Sequence, residues 1–253
     1  MKFVIGMVSA AALLAAFPAG AATLAGLVGG DTLVHIDVDT RKVSKTVKID
    51  GAKDLVGIDV RPADGMLYGV IRDGTVVTID PDTGKARAKS KLQAMVPARA
   101  MVTIDFNPVA DRLRILGSDG TNLRANVDDG MVTTDGRLKF AEGTGAPSII
   151  AGAYSNSFKG TKETALYDIE ANSGALVKQA PPNDGVLAPI GKLGPAIMSP
   201  AAFDIWSDGK GMNVGWLLAG GALWKVDLAS GKAESAGLVA GLSGEVLDIA
   251  VLP

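Results

Sequence analysis

Five times along this chain a short apolar strand, four times carrying an acid, is followed by Gly- and Asp-rich turns and further strands. The anchors are GIDV (Gly57 to Val60), TIDF (Thr103 to Phe106), GAYS (Gly152 to Ser155), AFDI (Ala202 to Ile205) and LDIA (Leu247 to Ala250). With Asp59, Asp105, Tyr154, Asp204 and Asp248 as markers, the steps are 46, 49, 50 and 44 residues. Self-similarity at about 40–50 residues, with roughly four strands per unit, is the mark of a β-propeller blade. The expected fold class is therefore all-β: a five-bladed β-propeller closed by pairing of its N- and C-terminal strands.

The first residues read as a targeting segment. Lys2 gives a positive start, Phe3 to Phe17 form a 15-residue apolar run, and Pro18-Ala19-Gly20-Ala21-Ala22 offers a small-residue cleavage site after Ala21. This is the pattern of a secretory signal peptide, and the run is shorter than the about 18–20 apolar residues a membrane span needs. Residues 1–21 are thus expected to be removed. Residues 22–253 are expected to form one β domain in the periplasm or outside the cell, with no membrane insertion. The absence of cysteine excludes thiol and disulfide chemistry. Loss of Lys2 leaves 24 basic residues against 27 acidic, a net charge of −3. The basic residues are dispersed, without the stripe of a nucleic-acid binder.

Turn residues divide the chain further. The second blade reads Leu55 to Val60, RPADG, Met66 to Ile71, RDG, Thr75 to Asp80, PDTG, and Lys85 to Leu92. The third reads Met101 to Phe106, NPVAD, Arg112 to Leu116, GSDG, Thr121 to Val127, DDG, and Met131 to Leu138. Pro pre-sets φ in such turns and Gly accepts positive φ. The fourth has Ile149 to Tyr154, the loop SNSFKGTKE, Ala165 to Glu170 and Ala175 to Gln179. A Pro- and Gly-rich connection, Ala180 to Ala201, follows it, and the fifth begins at Phe203. Leu33 to Val38 and Val43 to Ile49 look like later strands of a blade whose first strand is Glu245 to Leu252.

Catalytic signatures are scarce. His35 is the single histidine, G-x-S-x-G and H-E-x-x-H are absent, and no partner for a general base is evident. The strand acids Asp59, Asp105, Asp204 and Asp248 would line the central channel. They read first as caps for backbone N–H groups where blades meet. Their alternative is a metal-dependent lactonase or a glycosidase. Symmetry breaks most clearly in the third blade, where Asn107, Asp111, Arg112, Arg114, Asn122 and Arg124 cluster and form the expected ligand- or partner-binding set. A four-residue GSDG loop sets Arg114 opposite Leu123, away from Arg124, and an inward arginine there would pair with Asp105 or Asp111. Trp206, Trp216 and Trp224 crowd the fifth blade and suit blade-to-blade packing.

FNPVADRLRILGSDGTNLRANVDDGMVTTDGRL, LYDIEANSGALVKQAPPNDGVLAPIGKLG and LWKVDLASGKAESAGL resemble the bacterial family catalogued as domain of unknown function 4394. That resemblance implies exported proteins of repeat-built β structure and transfers no catalytic residue. The sequence reading is thus an exported binding or protein-interaction module. It has no assigned catalytic residue, metal or cofactor, takes an unknown protein or small molecule as partner, and stays monomeric. Its rival is the propeller hydrolase using channel-facing carboxylates.

Overall fold

The structure, a computed structural model, describes residues 22–143, 145–194 and 200–253. The expected signal segment 1–21 lies outside them. The described residues form five small sheets in a ring, which is a five-bladed β-propeller. Blade 1 takes β1 (Thr23–Val28), β2 (Thr32–Asp37) and β3 (Lys42–Lys48). Blade 2 is β4 (Leu55–Val60), β5 (Leu67–Ile71), β6 (Thr75–Ile79) and β7 (Ala86–Lys91). Blade 3 is β8 (Val102–Asn107), β9 (Arg112–Gly117), β10 (Asn122–Ala125) and β11 (Val132–Thr134). A short strand, β12 (Lys139–Phe140), then precedes blade 4: β13 (Ile149–Tyr154), β14 (Leu166–Glu170), β15 (Ala175–Gln179) and β16 (Val186–Lys192). Blade 5 is β17 (Ala201–Ser207), β18 (Asn213–Ala219), β19 (Ala222–Val226) and β20 (Ala233–Leu238). The final strand β21 (Val246–Leu252) returns to blade 1.

Closure is as the sequence implies. Strand β21 pairs antiparallel with β1, setting Thr23 opposite Leu252 and Ala25 opposite Ala250. The innermost strands β21, β4, β8, β13 and β17 pack side by side around the axis. Inner strands are covered on both faces, so they read as continuous apolar runs such as LVGIDV, five of whose six residues are buried. Outermost strands alternate, as in KVSKTVK, and their lysines discourage edge-to-edge pairing. Close packing at the axis excludes side chains in places. A Cβ on Gly57 would lie 2.8 Å from a carboxylate oxygen of Asp248 in the preceding blade.

Three local readings are corrected. First, blade 1 contains β1, which the sequence reading did not separate from the start of the chain; TLAGLV has the length and apolarity of an inner strand. Second, Ala180 to Ala201 is not one connection. It holds a 3-10 turn at Pro182–Asp184 and then β16. Pro189 and Gly191 hide that strand, and a bulge that skips Ile190 accommodates them. Third, β12 pairs parallel to β16, which gives blade 4 a fifth strand and covers its outer edge.

Candidate functional site

The third-blade residues form structure before they form a surface. The turn from β9 to β10 spans Gly117–Thr121, one residue longer than expected. Gly120 takes φ +90° and the Asp119 carboxylate caps the Thr121 N–H at 3.1 Å. That extra residue moves the register, so Arg114 faces Arg124 directly, not Leu123. The like charges are held by an acid the sequence reading passed over. Asp135 Oδ2 accepts from Arg114 Nη1 at 2.6 Å and from Arg124 Nε at 2.8 Å, and Oδ1 accepts from Arg124 Nη2 at 3.0 Å. Burial alone would raise the pKa of Asp135, but Arg124 and Arg114 together bring it below the usual value.

Arg114 is 2% exposed. It also donates to Tyr154 Oη, Asn122 Oδ1 and Asn183 Oδ1, at 3.2, 2.8 and 2.8 Å. Asn122 is buried, and its amide donates to the carbonyls of Gly136 and Pro182. Asn107 caps its own turn, accepting from the N–H groups of Val109 and Ala110. Arg112 donates to the carbonyl oxygens of Asp111 and Ala110. Asp111 pairs with Arg61 of blade 2, which also binds Asp128 and Asp64. The six residues therefore divide among a buried network, a self-capped turn and an inter-blade ion pair.

The axial acids do what a cap does. Asp59 Oδ2 accepts from Phe106 N at 2.6 Å, Asp105 Oδ1 from Tyr154 N at 2.9 Å, Asp204 Oδ2 from Val251 N at 2.6 Å, and Asp248 Oδ2 from Ile58 N at 3.1 Å. Each carboxylate thus ties its inner strand to that of the next blade. Three of the four also accept the N–H of the following residue in their own strand. These groups nevertheless converge: one carboxylate oxygen each from Asp59, Asp105 and Asp204 lie within 4.8 Å of one another. Burial raises all four pKa values, and the Asp204 charge raises those of Asp59, Asp105 and Asp248 further. Asp204 titrates at about 6, where burial outweighs the hydrogen bonds from Val251 and Ile205.

Above two of these acids lies a pocket the sequence reading missed. It opens on the face that carries the C-terminal ends of the inner strands, and its volume is about 280 Å³. Asp59 and Asp204 reach it from the inner strands, Trp206 and Ser207 from the end of β17, and Ser157, Phe158 and Lys159 from the β13–β14 loop. That loop, residues 155–165, is longer than its counterparts at 61–66, 108–111 and 208–212. Loop length was the available signal. A wider groove of about 610 Å³ adjoins it, lined by His35, Met66, Asp80, Lys85 and Arg87 among others. The His35 ring is engaged there, with Nε2 2.8 Å from the Pro81 carbonyl oxygen.

Fold and site together define a β-propeller with a small polar and aromatic pocket at one mouth of its axis. The chain belongs to the family described as Domain of unknown function (DUF4394), whose profile matches residues 32–250. No curated protein matches it. Among solved structures it is similar to a protein of unknown function from Bacteroides thetaiotaomicron VPI-5482, at 16% identity over 92% of this chain and 65% of that one, with a TM-score of 0.52. Another protein of unknown function, from Bacteroides caccae, shows 15% identity over 85% and 72% of the two chains, with a TM-score of 0.46. An auxiliary nutrient binding protein from Bacteroides ovatus ATCC 8483 shows 13% identity over 82% and 57%, with a TM-score of 0.47. The chain thus spans less than two thirds of the first and third of these proteins. At such identities the likeness is one of fold.

Proposed function

We propose that this propeller is a binding module that receives a small polar molecule in the axial pocket, and that it works outside the cytoplasm after loss of residues 1–21. One observation carries the binding reading. In that pocket a concave surface, two aromatic side chains and two carboxylates with raised pKa values coincide, a combination that marks ligand sites more than scaffolding. Phe158 and Trp206 offer apolar faces, Ser157 offers a hydroxyl, and the Asp59 and Asp204 floor disfavours an anion. A neutral polyhydroxylated molecule or an organic cation satisfies that chemistry.

Thermal melting against a panel of neutral sugars, small amines and carboxylates tests this. A ligand at 100 times its dissociation constant adds about 2.7 kcal/mol. A neutral or cationic member is expected to raise the melting point, and Trp206→Ala with Phe158→Ala to abolish the rise. A shift from carboxylates alone, or one indifferent to both substitutions, would overturn the reading.

The convergence of Asp59, Asp105 and Asp204 supports a second reading, a metal-dependent hydrolase. A shift with calcium, magnesium or zinc that Asp59→Asn removes would favour it. Both oxygens of Asp59 and of Asp204 already accept backbone N–H groups, which leaves fewer lone pairs for a cation and places this reading second.

A further inference from the structure

The junction between blades 4 and 5 is built differently from the other four. Elsewhere an inner-strand aspartate crosses to the next blade. In β13 the residue facing blade 5 is Ala153, which packs with Phe203 and Ile205, while Tyr154 faces blade 3 and meets Arg114. Among the described residues no carboxylate crosses this junction.

A backbone bond from the Ala233 N–H to the Leu193 carbonyl crosses it at the outer side, and among the described residues the side-chain bonds that cross it lie at the rim, beside the pocket. The Asn156 N–H donates to Asn213 Oδ1 at 2.8 Å, and the Ser157 N–H donates to Ser207 Oγ at 3.1 Å. The Ser207 hydroxyl donates to Asn213 Oδ1 at 2.6 Å, and Asn213 Nδ2 returns a bond to Asn156 Oδ1 at 2.9 Å. With two donors on Asn213 Oδ1 and an acceptor facing Nδ2, the amide has one satisfactory orientation. Asn156 adopts φ +54°, a left-handed conformation that Asn tolerates better than most residues. Two residues on, the Phe158 ring rests over Gly209 in the β17–β18 turn, 3.9 Å from where a Cβ there would stand.

We infer that Asn156 and Asn213 are a positioning pair that takes the place of the missing aspartate and pre-forms the Phe158 wall of the axial pocket. The pair ties backbone N–H groups of the loop to blade 5, so the wall is set before any ligand arrives, which lowers the ordering cost of binding. The last step, from wall to ligand, rests on the proposed binding function; the fixing of the loop does not.

Limited trypsin digestion of the whole protein, cutting after Lys159 or Lys162, measures release of the loop. Asn213→Ala loses bonds to three groups, and Asn156→Gly keeps the left-handed backbone but loses the amide pair and the bond from its Nδ2 to the Glu163 carbonyl within the loop. Cleavage is expected to quicken about ten- to a hundredfold in Asn213→Ala and about tenfold in Asn156→Gly, as opening costs less. Fluorine NMR of protein labelled with fluorotryptophan reports the wall itself. The resonance of Trp206, assigned with Trp206→Phe, is expected to shift in both variants while those of Trp216 and Trp224 stay. Unchanged cleavage and an unchanged Trp206 resonance in both variants would overturn the inference. A wild-type protein that binds nothing in the panel, but whose loop both variants release, would keep the positioning pair and remove the binding function.

Discussion

The junctions on either side of the ring are made of opposite materials. Between blades 5 and 1, eleven buried apolar side chains meet, among them Leu24, Ile36, Trp216, Leu223 and Ile249. Between blades 3 and 4 the buried apolar cluster has six. The rest of that junction is polar, with Arg114, Asp135, Asn122, Tyr154 and Asn183 bonded together. Among the described residues, four buried oxygens there lack a protein partner: Thr103 Oγ1, Gln179 Oε1 and both of Asp168. An apolar junction holds by volume and tolerates a change of shape poorly. A polar one holds by complete pairing, and fails when one partner goes.

The largest effects should come from truncating each junction at its centre. Arg114→Ala leaves Asp135 and Asn122 short of a buried donor and is expected to cost about 3–5 kcal/mol by denaturant titration. Trp216→Ala opens a cavity between blades 5 and 1 and is expected to cost about as much, 3–5 kcal/mol. Replacement separates them. Arg114→Leu combined with Asp135→Leu should recover the part of the first loss that comes from stranding Asp135, since well-packed apolar residues often match a buried ion pair, while Asn122 and Asn183 stay short of a donor. Failure of that rescue would mean the polar junction contributes more than its pairing.

A smaller effect comes from pH. The folded-state pKa of Asp204, about 6 against 3.8, is raised, so folding binds the proton. The associated stability is fully present below about pH 4 and is lost as pH rises through 6, by up to about 3 kcal/mol. The other axial acids act in the same sense. Asp128, held at about 2 by Arg61 and Lys89, acts oppositely, and its contribution falls away as pH drops toward 2. Melting points should therefore be higher at pH 5 than at pH 8, and Asp204→Asn should flatten that slope. A melting point that climbs steadily from pH 5 to 8 would sink the assignment.

Next comes Asp168, fully buried and unpartnered, with its pKa raised well above 3.8 by burial, which Arg114 offsets only in part. Asp168→Leu should stabilise the polar junction by about 1–3 kcal/mol at pH 8, and by less at pH 5, where the carboxyl is more easily protonated. The smallest effect is expected outside both junctions. Lys232 and Glu234 pair at 3.2 Å on the surface, and Lys232→Ala should leave the melting point unmoved.

Blade count, closure and the caps at Asp59, Asp105, Asp204 and Asp248 were legible because they repeat, and periodicity averages over local exceptions. What was not legible depends on single departures. The Arg114–Arg124 register turned on one extra residue in the Gly117–Thr121 turn, and Asp135 was hidden beyond a strand that stops at Thr134. Strand β16 carries Pro189 and Gly191, residues that argue against a strand unless a bulge excuses them. The axial pocket was obscured because Tyr154 occupied the place of the fifth acid in the repeat. In the structure Ala153 is the residue that faces blade 5, and the acid is simply missing there.

The joining of β1 to β21 has a mechanical consequence. Thr23 lies opposite Leu252, so residues 23 and 252 leave the antiparallel pair at the same end. A force drawing these two points apart would load the ladder one bond at a time instead of shearing all of them together. Forced opening follows the unfolding rate and not the equilibrium stability. The ring should thus open at low force in an optical trap, with β21 peeling away before any other blade yields.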